Sequence, residues 1–339
     1  MEEESASVSE RTKQVEEPAT QWKWVEPLIW TDRMLKALEK GVKGGKWFSL
    51  IDKVYRETTL YRAWEEVKAN DGAPGVDKIT IADYERHIES NLKRLSQKLE
   101  EGAYQPKAVR RTWIPKPGGT EERPLGIPTV EDRVVQTALK MVMEPIFERD
   151  FSRRSYGFRP QRGTKDALRQ VDAHLKAGYR WAVDADLKGY FDTIDHGILM
   201  EEVKRKVTDG KVLTLIKAYL RCEVVDKDES YRPERGTPQG GVISPLLANI
   251  FLDPLDHMME EAGFEMVRYA DDFVVLCRTK EEAEKALERV SRWTDKVGLT
   301  LHPEKTKLVD ESEESFDFLG YCFKRGKKYP SKKAKRRFL

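Results

Sequence analysis

Two adjacent carboxylates, Asp271 and Asp272, stand between two apolar runs, Met266-Val267-Arg268-Tyr269 before them and Phe273-Val274-Val275-Leu276-Cys277 after. Each run is β-branched, aromatic or aliphatic and reads as a buried strand, which places the acids at the tip of a hairpin. Like charges that close repel unless a cation compensates them. Hard carboxylate oxygens favour Mg²⁺, which takes one or two carboxylates together with waters and substrate phosphates. The plainer alternative is a solvated turn, where Asp is common. A second acidic pair closes another short run, Trp181-Ala182-Val183-Asp184-Ala185-Asp186-Leu187. Side chains alternate along a strand, so Asp184 and Asp186 share a face and periodicity does not choose between them. Acids brought together from two strands of one sheet make a site for two divalent ions about 3.5–4 Å apart. Such a site suits phosphoryl transfer, in which the protein mainly positions groups and neutralises charge.

The elements that must position these acids mix helices with hairpins instead of alternating them, which indicates an α+β fold. Helices are expected within 31–69, then over 81–101, 131–151, 166–177 and 281–297, with two more in 198–222. Residues 109–128 read as a hairpin with a Pro/Gly tip that presents Lys116 and Arg123 from opposite arms. The stretch 223–235 is charged and reads as a loop. At 236–241 a glycine-rich turn precedes Ser244-Pro245, a helix start with a hydroxyl cap and a first-turn proline. The apolar run 246–252 that follows should be buried. Residues 298–310 read as extended and 316–321 as a last strand. Trp22, Trp24 and Trp30 are too aromatic for a free segment and should dock.

At 339 residues the chain can hold one large domain or two lobes. With 35% charged residues and no apolar run approaching a membrane span, no membrane partner is expected. Cys222, Cys277 and Cys322 lie far apart, without metal-type spacing, and fit a reduced interior; cytoplasmic is the expected location. The net charge of +2 hides a basic stretch, because residues 105–165 hold thirteen Lys/Arg against seven Asp/Glu. Charges from Lys324 to Arg337 are all basic. Such patches suit a phosphate backbone, or serve only as a solvated face.

Seven blocks, at 104–132, 155–167, 181–196, 236–253, 268–277, 298–306 and 316–321, together resemble reverse transcriptases of the group II intron type, RNA-directed DNA polymerases that also act as maturases. Tyr269-Ala270-Asp271-Asp272 and Gly236-Thr237-Pro238-Gln239-Gly240-Gly241-Val242-Ile243-Ser244-Pro245 are the most specific pieces. Residues 70–76 resemble an upstream block of non-retroviral members, and the likeness covers roughly 45–325. It implies a right-hand polymerase with fingers and palm, the palm an antiparallel sheet backed by helices.

The resemblance picks Asp186 over Asp184 as first metal ligand, assisted by the Leu187 carbonyl. Asp271 and Asp272 take the paired-acid positions, and strand alternation suggests that Asp271 coordinates more directly. The implied cofactor is two Mg²⁺ ions, with Mn²⁺ able to substitute. Phe191 matches a steric gate against the 2′-hydroxyl, although taken alone it would pass as a core Phe. Lys116 and Arg123 match cations that hold the incoming triphosphate, and Gln239 a nucleotide contact. Lys305 matches a lysine that protonates leaving pyrophosphate, with Lys307 close enough in sequence to compete for the role. The five histidines belong to no part of this mechanism and read as structural. Arg110, Arg111, Arg159 and Arg162 are candidate contacts to an A-like template–primer hybrid.

The implied partners are RNA template, DNA primer, dNTPs and group II intron RNA, with a homodimer as a further candidate. The implied division is an acidic disordered tail (1–20), an N-terminal helical extension (21–75) and fingers (76–131). The palm follows in two parts (132–196 and 239–325), separated by an insertion (197–238). A basic linker (326–339) leads towards a thumb. The chain stops soon after the last palm block, so it reads as truncated before the thumb, with processive synthesis expected to be weak. Two other readings stand beside the polymerase. One is an RNA-binding splicing cofactor that keeps the frame as scaffold; the other is a domesticated relative in bacterial defence.

Overall fold

A computed structural model describes residues 22–115, 122–227 and 229–335. In chain order its strands are β1 (Val109–Pro115), β2 (Glu122–Ile127), β3 (Trp181–Asp186), β4 (Val224–Asp226), β5 (Glu229–Tyr231) and β6 (Glu265–Tyr269). They continue with β7 (Asp272–Cys277), β8 (Lys307–Asp310), β9 (Phe316–Phe318), β10 (Tyr321–Lys324) and β11 (Lys327–Pro330). The architecture is α+β, with fingers and palm.

The palm is an antiparallel sheet in the order β6-β7-β3-β8. Alternation along its strands divides the apolar side chains between two faces. Val183, Ala185, Met266, Phe273 and Val275 join the large core, which includes the helices Ser244–Glu261 and Lys280–Val297. Ala182, Val267, Val274, Leu276 and Val309 face a smaller core with Leu168 and Val171 of the helix Thr164–Lys176 and with Phe316 and Phe323. Further along β3 that second face turns from apolar to acidic: Asp184 pairs across to Val274 and Lys307, and Asp186 to Asp272.

The fingers sheet has the order β2-β1-β4-β5, with β1 and β4 parallel and the other pairs antiparallel. Its second half corrects the loop expected at 223–235. Among the described residues of that stretch Val224 is the one buried side chain; β4 is ordered by pairing with the distant β1, and β5 by pairing with β4. The expected helix at 81–101 is two, Ile81–Glu85 and Ile88–Glu101, broken at Arg86-His87. Ser244 does not cap its helix: its hydroxyl donates to Pro238 O at 2.9 Å and ties down the preceding loop. Trp22 and Trp30 dock as expected, Trp30 Nε1 donating to Met141 O at 3.1 Å. The single last strand expected at 316–321 is instead a hairpin that turns at Leu319-Gly320, both at positive φ. β9 and β10 join β11 in a sheet of order β11-β10-β9, so part of the basic stretch expected as a linker is paired structure. The acidic tail expected at 1–20 lies outside the described residues. Among the described residues no helix is long and apolar enough to cross a membrane.

Candidate active site

Tyr269 pairs with Asp272, so Ala270 and Asp271 form a two-residue hairpin turn, with Ala270 at φ +59°. Left-handed backbone is uncommon outside glycine and needs support from its surroundings. Arg268 gives that support. It is fully buried, pairs with the equally buried Asp256 through two hydrogen bonds, and donates to Asn249 Oδ1 at 2.9 Å and Ala270 O at 2.8 Å. Asp256 and Asn249 lie two turns apart on the helix Ser244–Glu261, so that helix holds the acidic turn in place. The segment 155–157 closes the other side. Tyr156 N donates to Arg268 O at 2.8 Å, Asn249 Nδ2 donates to Gly157 O at 2.8 Å, and Gly157 packs directly on the backbone of Ala270.

Strand register sets Asp186 opposite Asp272, with Asp271 beside them in the turn. Burial, then the negative charges of Asp184, Asp186 and Asp271, push the Asp272 carboxyl up to about 7. Burial raises Asp271 as well, with Asp186 adding to the shift and Arg268 and Lys305 opposing it. Burial pushes the half-buried Asp184 carboxyl up to about 6, with Lys307 opposing the shift and Asp317 and Asp186 adding to it. His302 N donates to Asp186 O at 2.8 Å, which anchors the 302–306 turn and brings Lys305 Nζ within 2.7 Å of Asp186 Oδ2. Lys305 is therefore the lysine on Asp186, while Lys307 stands opposite Asp184. Leu187 is buried between the Asp186 and Lys188 backbone bonds to the 300–302 segment.

Among the described residues no three His, Cys, Asp or Glu side chains are gathered closely enough to hold a metal ion as they stand. The acids nevertheless fit hard divalent cations. They offer oxygen donors only, they carry more partly buried negative charge than one lysine offsets, and a positive group already sits on Asp186.

Around the acids, Phe191 O accepts from Thr237 N at 2.7 Å, and Gln239 Nε2 donates to Asp192 Oδ2 at 3.0 Å. Gln239 O accepts from Gly126 N at 2.5 Å, joining this loop to β2. Arg123 is exposed on β2, and Lys116 lies outside the described residues. Arg111 lies over the rings of Trp113 and Tyr231, beside a cavity of about 450 Å³ lined also by Asp192, Arg232 and Arg235. Two of the expected RNA contacts are engaged elsewhere. Arg159 is interior, its side chain 2% exposed, paired with Glu148 at 2.7 Å and donating to Ser152 O and Ser155 O. Arg110 spends two donors on Pro74 O. Arg162 is half-buried over Tyr156 and donates to Arg153 O at 2.7 Å. Sequence reasoning passed over Arg268, although a charge inside an apolar strand demands a buried counterion. It also passed over Phe158, whose ring stands beside Phe191 and Tyr269.

The chain belongs to the reverse transcriptase family, the RNA-dependent DNA polymerases, whose domain matches residues 114–323. It is 35% identical over 287 residues to protein YkfC of Escherichia coli (strain K12), covering 73% of this chain and 75% of YkfC. It is 33% identical over 259 residues to the group II intron-encoded protein LtrA of Lactococcus lactis subsp. cremoris, covering 76% of this chain. The match spans 42% of LtrA, so the chain corresponds to less than half of that relative. Among solved structures, a telomerase from Candida albicans superposes with TM-score 0.50 at 14% identity, over 75% of this chain and 50% of that one, a likeness of fold alone.

Proposed function

We propose that the chain extends a DNA primer on an RNA template by two-metal phosphoryl transfer from dNTPs, and binds group II intron RNA as a maturase. The observation that carries this reading is the register that sets Asp186 opposite Asp272, with Asp271 in the adjoining turn and Lys305 on Asp186. Asp186, the Leu187 carbonyl, Asp271 and Asp272 would hold two Mg²⁺ ions, with Mn²⁺ as a substitute. When bound, these would supply positive charge to the attacking and leaving oxygens. Phe191 fills the space under the sugar and excludes a 2′-hydroxyl. Gln239, oriented by Asp192, meets the nucleotide, while Arg123 and Lys116 hold the triphosphate by charge-assisted hydrogen bonds. Lys305 donates a proton to the departing pyrophosphate.

The test is addition of single dNTPs to a primer annealed to RNA. We expect addition that needs a divalent cation and stops with chelator; a folded chain that adds nothing under any divalent cation overturns the reading. A second test does not depend on activity. At a hundredfold excess over its Kd, Mg²⁺ should stabilise the chain by about 2.7 kcal/mol. That raises the melting midpoint by about 4 °C, given the unfolding entropy of a chain this long. An unchanged midpoint across a Mg²⁺ titration would count against metal binding at the acids.

For the nucleic acid, Arg111 with Trp113 and Tyr231 offers charge and stacking surface together. Arg111→Ala should weaken hybrid binding and reduce the salt dependence by about one unit of log Kd per log salt. Arg159→Met should leave that slope alone and destabilise the chain by about 3–5 kcal/mol, because Glu148 loses its partner. Equal slopes in the two variants would remove Arg111 from the interface.

A further inference from the structure

We infer that Phe158 is a specificity-determining residue of the nucleotide site, bracing Phe191 from the side that faces the Tyr269–Asp272 hairpin. The inference rests on reading Phe191 as the gate beneath the sugar.

Phe158 breaks two local rules at once. Its φ is +56°, a conformation that bulky residues rarely adopt, and the residue is 49% exposed although Phe is usually interior. Strain of this kind persists only where the surroundings impose it. Here they do: on one side Gly157 is pressed against the backbone of Ala270, and on the other Arg159 is pinned to Glu148, Ser152 O and Ser155 O. Between these anchors the ring is held outward. It meets Phe191 edge-on, with centroids 6.5 Å apart and planes at 80°, and Tyr269 at 6.5 Å and 44°.

Phe191 needs such a brace. Its carbonyl is fixed by Thr237 N, and Tyr190 packs against one side of its ring at 5.5 Å. Tyr190 is itself fixed, its hydroxyl donating to Ala248 O at 2.6 Å. A gate discriminates sugars only if its ring cannot swing aside when a 2′-hydroxyl pushes against it. Phe158 adds a second aromatic contact to Phe191 beside that of Tyr190 and couples the gate to Tyr269, the first residue of the acidic hairpin.

The test compares kcat/KM for a dNTP and its matching rNTP in single-nucleotide addition by the parent chain, Phe191→Ala, Phe158→Gly and Phe158→Tyr. Glycine accepts positive φ, so Phe158→Gly removes the ring without forcing the backbone. Phe191→Ala should reduce discrimination about 100-fold and Phe158→Gly about 10-fold, within the range that pocket contacts command. Phe158→Tyr, which keeps the ring, should retain parental discrimination; a purely structural role would instead lower kcat/KM for both sugars alike in Phe158→Gly and leave their ratio unchanged. If Phe191→Ala relaxes sugar choice while Phe158→Gly retains it, the inference is overturned and the gate reading stands. If Phe191→Ala leaves discrimination intact, the gate reading fails and the inference falls with it.

Discussion

Asp271→Asn should lower single-nucleotide addition about 10⁴-fold, or roughly 5.5 kcal/mol of barrier, while making the metal-free chain more stable. Both signs follow from the same geometry. Burial and neighbouring carboxylates raise Asp271 and Asp272, so keeping them ionised at neutral pH costs folding free energy. An amide of the same shape relieves that repulsion and gives up the charge that the proposed cations require. Asp272→Asn should stabilise the metal-free chain more, because its carboxyl, held up to about 7, also faces Asp184 and Asp186. The pH dependence has a definite direction. The folded chain binds the Asp272 proton more tightly than the unfolded chain, whose carboxyl titrates near about 4. The penalty is therefore absent below about pH 4 and grows as pH rises towards 7. Melting curves in chelator across that window should fall for the parent and flatten for Asp272→Asn. Divalent cation should reverse the order of stability between parent and variants at pH 7. Variants less stable than the parent in chelator, or an Asp271→Asn enzyme that still extends primers at parental rate, would refute this account.

What could be read from the sequence was what local pattern controls. The apolar alternation of 181–186 and the two runs around Asp271-Asp272 fixed the strands, and strand period alone put Asp184 and Asp186 on one face. The order of helices and hairpins was enough for an α+β fold. What could not be read depended on partners distant in the chain. β4 and β5 are only three residues each, too short to show alternation; β4 exists as a strand because the distant β1 lies beside it, and the exposed β5 pairs with β4 in turn. Arg159 and Arg110 sit in a basic stretch that looks like a phosphate-binding face. Glu148, eleven residues back, makes Arg159 an internal fastener, and the carbonyl of Pro74 engages the half-buried Arg110. The choice between Lys305 and Lys307 was likewise a matter of register, since β8 puts Lys307 opposite Asp184 and leaves the preceding turn to bring Lys305 to Asp186. Arg268 was visible as a charge in an apolar strand, but its partners Asp256 and Asn249 stand in a helix whose other side chains are mostly buried and apolar.

That buried bracket leads to the second large effect, expected at a residue with no side chain. A methyl group added at Gly157 would stand 2.3 Å from Ala270 N and 2.9 Å from Tyr269 C, both backbone atoms that cannot swing away. Gly157→Ala must therefore move the 155–158 segment or the acidic turn. Overpacking of this kind costs about 1–3 kcal/mol. Displacing a reacting constellation by about 1 Å costs about 100-fold in rate. The turn is the weaker partner, because Ala270 already holds an unfavourable φ and is kept there largely by Arg268. The variant should fold, melt a few degrees lower, and lose about 100-fold in kcat for nucleotide addition with a smaller change in the KM for dNTP. Asn249→Ala loosens the same bracket without adding bulk, since it removes the bonds to Gly157 O and Arg268 together. It should shift kcat in the same direction by a smaller factor and raise the Mg²⁺ concentration needed for half-maximal rate. A Gly157→Ala chain with parental kcat and a lowered melting point would show that the close contact serves packing alone, and that the acidic turn keeps its position without it.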